Sequence, residues 1–149
     1  MRTTTGRRVR AATRRRLRPA TLVAVAAGGA LGTAARDGLE ARFPVSTASF
    51  PWTTFAINVS GAFLLGVLLT FVLERWPPTR YVRPFVAIGV LGGYTTFSTF
   101  SIEADLLFRD GHIGIGLAYV LGSLAAGAAA VYLGIVAGRG RPALRRSTR

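Results

Sequence analysis

The chain has 149 residues, half of them hydrophobic, a formal charge of +13 at pH 7 and no cysteine. Its mean hydropathy of +0.40 lies above that of an ordinary soluble domain, which makes a membrane protein the default class. The composition excludes a disulfide framework, thiolate catalysis and a cysteine-based metal site.

All 19 basic residues are arginine, and most sit in two end blocks, from Arg2 to Arg18 and from Arg139 to Arg149. No aromatic residue is interleaved with them, so nucleic acid would lack its usual stacking partners and is not expected as a ligand. This divides the chain into a basic tail over 1–19, an apolar body over 20–138 and a second basic tail over 139–149.

Four apolar segments follow in order: Ala20 to Ala35, Trp52 to Leu73, Val82 to Leu107 and Ile113 to Ala137. At about 1.5 Å per residue the last three can each cross a ~30 Å hydrocarbon core, and the first is marginal. The expected fold is therefore an all-α integral membrane protein of four transmembrane helices. Trp52, Trp76 and Tyr81 fall at segment ends, where amphipathic rings favour the interface.

The first segment, behind its arginine-rich leader, also has the look of a signal peptide. Gly28 and Gly32 argue for a retained helix, because their spacing suits close helix packing, and Arg36 falls one turn further along the same face. Arg36 then serves either as an anion-recruiting vestibule residue or as a structural anchor at the interface.

In the second segment Asn58 is the conspicuous polar residue. A carboxamide in hydrocarbon needs partners, so it faces either a neighbouring helix or a wet path.

The third segment carries "GVLGGYTTFSTFSIEADLL", residues 89–107, a run of hydroxyl residues in an apolar helix. Gly92-Gly93 weakens the helix, while Thr95, Thr96, Ser98 and Thr99 offer hydroxyls to a freed backbone or a ligand, so a break at mid-membrane is expected. Exposed carbonyls at such a break bind cations, and amide N–H groups and hydroxyls bind anions. Phe97 and Phe100 are three apart and share a helix face. Their rings either present positive edges to an anion or simply pack. His112, in the turn "RDGH", reads as a solvated loop residue.

The motif "GGYTTFSTFSIE", with "NVSGAFLLG" and "GGALGTAAR" in the same chain, resembles the Fluc (CrcB) family of fluoride channels over about residues 24 to 130. The resemblance implies passive export of fluoride across a bacterial-type cell membrane, which lowers its cytoplasmic toxicity. It implies an antiparallel dimer with two pores and a central structural Na⁺ held by backbone carbonyls of Gly92 and Thr95. By motif position, Asn58, Phe97 and Phe100 line the pore with the hydroxyls of Ser98 and Thr99. On the last helix Tyr119 and Ser123 are four apart and extend a polar track. Glu103, one turn beyond Phe100, has an open role. Two departures stand out: Gly127 lies where relatives continue the hydroxyl track, and Tyr94 where Phe or Leu is usual.

Two other classes remain. A proton-coupled small-anion transporter needs a titratable group at mid-membrane, and Glu74, Glu103 and Asp105 all lie towards segment ends. A non-transporting structural membrane subunit leaves the hydroxyl run unexplained. No nucleophile–base pair suggests an enzyme. Sixteen arginines fall in the two tails and the 74–83 loop, against Arg36, Arg42 and Arg109 on the other side. That bias predicts mainly cytoplasmic termini, and a dimer formed either with itself or with an inverted paralogous subunit in the lipid bilayer.

Overall fold

The structure, a computed structural model, describes residues 18–46, 48–74 and 81–139. The arginines of the far tails, Trp76, Arg75 and Arg80 lie outside the described residues. Among those described, every regular element is helical: α1 (Pro19–Arg42), α2 (Trp52–Glu74), a π-helical segment (Pro84–Val90), α3 (Leu91–Tyr94), α4 (Phe97–Arg109) and α5 (Ile113–Arg139). Counting Pro84–Arg109 as one interrupted helix gives the four long helices that the apolar segments predict.

Among the described residues three stretches are long and apolar enough to cross a bilayer: Trp52–Phe71, Pro84–Arg109 and Ile113–Arg139. Helix α1 is 24 residues long but less apolar. Its charges do not end it, contrary to the expected stop near Ala35. Arg36 donates to Asp37 at 3.0 Å and reaches Glu40, one turn on, at 3.7 Å, so the polar residues support a further helical turn. Arg42 closes the last turn, where the carbonyl end of the helix attracts a cation.

Helix α2 lies along α5, and α1 lies along the π-helical segment and α3. Both contacts are backbone-close. A Cβ at Gly66 would strike the Val131 carbonyl, and one at Gly134 the Phe63 carbonyl. The Thr70 hydroxyl adds a polar staple, donating to Gly66 O at 3.1 Å and across to Ile135 O at 3.3 Å. On the other pair, Gly28 and Gly32 are buried against Phe85 and Val90, the use that their spacing predicts. The π-helical turns preceding α3, where the Leu91 N–H reaches back to Val86 O, have no counterpart in the sequence reading.

Candidate functional site

The helix does not end at its glycine pair. Gly92 and Gly93 remain inside α3, and the Thr95 N–H still donates to Leu91 O at 3.0 Å. The interruption comes two residues later, with Thr95 (φ −77°, ψ 154°) and Thr96 (φ −141°, ψ 122°) both extended. Asn58 on α2 makes this geometry possible. The Thr96 N–H donates to Asn58 Oδ1, and Asn58 Nδ2 donates to Thr96 O, both at 2.9 Å. The carboxamide thus replaces the ladder bonds that the chain gives up there.

Thr96 then starts α4. Its Oγ1 accepts from the Thr99 N–H at 3.1 Å, an N-cap, and contacts the hydroxyls of Thr99 and Ser98 at 3.0 and 3.2 Å. Two of the expected pore hydroxyls are therefore part of the cap. The extended pair also leaves the carbonyls of Gly92, Gly93, Tyr94 and Thr95 without their helical donors. The Thr96 N–H would otherwise serve Gly92 O, and the Thr99 N–H would serve Thr95 O. Both have been redirected to side chains.

The interruption opens onto two grooves. The first, about 240 Å³, is lined by Asn58, Thr95, Thr96, Phe97, Phe100, Ser123 and Leu124. Among the described residues no ionised side chain lines it. Phe97 is 81% exposed, its ring 5.9 Å from that of Phe100 at 34°. The Ser123 Oγ is buried without a hydrogen-bond partner among the described residues. The second groove, about 290 Å³, has Asn58, Gly61, Leu91, Gly92 and Thr95 in its wall. Asn58 and Thr95 border both.

Tyr119, expected beside Ser123, lies beneath the groove rather than in its lining. It is wholly buried, with its ring 5.0 Å from Phe100 and 5.3 Å from Phe50. Its hydroxyl donates to Glu103 Oε2 at 2.7 Å, and Thr54 Oγ1 donates to Oε1 at 2.8 Å. The Glu103 carboxylate is thus fixed at both oxygens. Arg36 is engaged by Asp37 and Glu40. His112 sits in the turn between α4 and α5.

The sequence reading missed Thr54, and it named Thr96 as a hydroxyl for freed backbone or a ligand but not as the cap of α4. Thr54 stands one helical turn before Asn58 on α2, a spacing that puts both on one face and was available as a signal. For Thr96 the signal was a threonine followed three residues later by Thr99 at the start of an apolar helix. Ser60 and Tyr94, whose hydroxyls meet at 3.0 Å between α2 and α3, carry no pattern that marks them as a pair.

Among the released carbonyls, those of Gly92 and Thr95 are uncharged oxygen donors, the chemistry that a hard cation takes. Among the described residues no cluster of three acidic, histidine or cysteine side chains competes as a metal site.

Comparison with known proteins follows the same lines. The family model described as "CrcB-like protein, Camphor Resistance (CrcB)" matches residues 23–135. The chain is 56% identical over 126 residues to the "Fluoride-specific ion channel FluC 3" of Streptomyces avermitilis, a match covering 85% of this chain and 62% of that relative. It is 42% identical to the "Fluoride-specific ion channel FluC 2" of Nocardia farcinica, over 83% of this chain and 88% of the relative. It is 41% identical to the "Fluoride-specific ion channel FluC" of Agrobacterium fabrum, over 77% and 93%. With its interrupted helix clamped by Asn58 and its sequence matched along most of its length, the chain belongs to the CrcB-like family.

Proposed function

We propose that this chain is a channel subunit that lets fluoride cross the cell membrane passively, and that it is not an enzyme. The observation that carries the reading is the first groove, where Asn58, Ser123 and the rings of Phe97 and Phe100 meet and, among the described residues, no ionised side chain lines the wall. Fluoride is small and strongly hydrated, so a path must replace its water yet hold it weakly enough for release. Asn58 Nδ2 keeps a second proton after bonding Thr96, Ser123 offers a buried hydroxyl, and Phe97 and Phe100 offer positive ring edges. Ser98 and Thr99 act from the cap beside them. Tyr119 supports the Phe100 ring from below and, with Thr54, fixes Glu103, which keeps that carboxylate from swinging into the path. Arg36 is an anchor within the last two turns of α1. The relatives' names, fluoride-specific ion channels, support the choice of anion.

Residues 20–138 form the channel body in this reading, with the 1–19 and 139–149 tails as cytoplasmic basic arms. Two bodies assemble antiparallel through the second groove, each partner either a copy of this chain or an inverted paralogue. The carbonyls of Gly92 and Thr95 would hold a Na⁺ between them, and its charge would bind the two interruptions together.

Fluoride efflux from liposomes containing the purified chain alone is the test. Efflux well above that of empty vesicles supports both transport and a self-sufficient homodimer. Efflux only on adding an inverted paralogue points to the mixed dimer, and silence with both partners present would falsify the reading.

The ring pair gives a sharper prediction. Phe97→Ile and Phe100→Ile should each lower flux about tenfold, the equivalent of one edge contact of ~1.4 kcal/mol. Only Phe100→Ile should also lower thermal stability, because Phe100 touches the buried Tyr119 whereas Phe97 is exposed. Unchanged flux in both variants would make the rings packing residues.

A further inference from the structure

A second set of cavities lies where α1 hands over to α2. The outer one, about 460 Å³, has Arg42, Ser46, Ser49, Trp52 and Thr53 in its wall. A smaller one, about 70 Å³, shares Val45, Ser46 and Ser49 with it and ends at Glu103. The Glu103 oxygens hold the hydroxyls of Thr54 and Tyr119, and the Tyr119 ring lies against Phe100 in the wall of the first groove. A chain of touching side chains therefore runs from this mouth to the groove wall, through Glu103 and the buried Tyr119.

The electrostatics of that run are unfavourable to an anion at its inner end, where Glu103 stands. A cation at the outer end would offset it. Arg36 is taken up by Asp37 and Glu40, and Arg109 pairs with Asp105 at 2.9 Å. Arg42 is exposed, lines the mouth, and has no carboxylate within ion-pair distance among the described residues. We propose that Arg42 is the recruiting residue of this mouth, concentrating a small inorganic anion, here fluoride, ahead of the uncharged groove. It acts through its field and not by contact with the ion in the groove.

The inference rests on the channel reading, and the two fail separately. Initial fluoride flux is measured in liposomes for the full chain, Arg42→Gln and Arg42→Lys, at low and high ionic strength. One charge about 6 Å from an ion in water changes its local concentration about threefold. The Debye length falls from ~30 Å at ~10 mM salt to ~3 Å at ~1 M, so that factor should vanish at high salt. Arg42→Gln should therefore carry about a third of the wild-type flux at low salt and an equal flux at high salt, with Arg42→Lys like wild type throughout. A deficit of the same size at both salts, or none at low salt, overturns the recruiting role while leaving the channel intact. A deficit in Arg42→Lys equal to that in Arg42→Gln would do the same, since it would show that shape and not charge matters. A wild-type chain silent both alone and with an inverted paralogue removes the channel reading and this inference with it.

Discussion

Asn58→Asp should abolish fluoride flux, by a factor of more than about 100, and should do more harm than Asn58→Ser. The carboxamide serves both backbone groups of Thr96 at 2.9 Å. Aspartate keeps the acceptor for the Thr96 N–H but turns a carboxylate oxygen towards the Thr96 carbonyl. Two acceptors then face each other with an unpaired charge where water is scarce, and the same charge repels an anion in the first groove. A hundredfold loss corresponds to about 2.7 kcal/mol, within what such a charge costs. Serine is too short to reach either group and leaves both unsatisfied, at about 1–3 kcal/mol each, but adds no charge. Efflux assays combined with thermal melting of the detergent-purified variants check the order. Wild-type flux in Asn58→Asp would refute the donor role. Serine ranking below aspartate would mean that holding the Thr96 N–H outweighs the charge.

Gly92→Val separates folding from assembly. A Cβ on Gly92 meets nothing within 4 Å inside the protomer, although Gly92 lines the second groove beside Thr95. The variant should therefore fold, with helix content near wild type, while its isopropyl group fills the face through which the two interruptions are proposed to meet. Dimer on size exclusion should fall at least about tenfold, roughly 1.4 kcal/mol, and flux should fall with it. Gly32→Val makes the contrast. There a Cβ would fall on the Val90 carbonyl, backbone against backbone, so the α1 contact itself should fail and little folded protein should be recovered. If Gly92→Val dimerises, conducts and responds to Na⁺ as wild type does, that face is not the interface and the central cation reading falls.

The apolar runs of α2 and α5 were legible from the sequence because long uninterrupted hydrophobic segments admit one reading. So was the use of Gly28 and Gly32, since close helix contact demands small residues at that spacing. The end of α1 was not. Charged residues that read as a boundary instead pair along the helix, as Arg36 does with Glu40. The sequence reading expected a break at mid-membrane from Gly92-Gly93 and the hydroxyl run after it, whereas the glycines stay helical and the extended residues are Thr95 and Thr96. That position is decided by a side chain 38 residues earlier, Asn58, and no local rule reports a long-range bond. Tyr119 shows the same limit. Its four-residue spacing to Ser123 was visible, but that its hydroxyl would be claimed by Glu103 depends on how α4 lies against α5.

The close passage of α2 along α5 has a consequence for biosynthesis. The walls of the first groove come from α2, from the interruption and from Ser123 and Leu124 on α5, so the groove cannot exist until the last helix has left the ribosome. A nascent chain that has reached only the turn at Gly111 already contains the interruption, yet one side of it lacks its covering helix. Backbone without partners is poorly tolerated in lipid. The docking of α5, at the carbonyl-close crossing of Gly66 and Gly134, is then the step that commits the chain, and truncations before Ile113 should be cleared by membrane proteases instead of accumulating as partial channels.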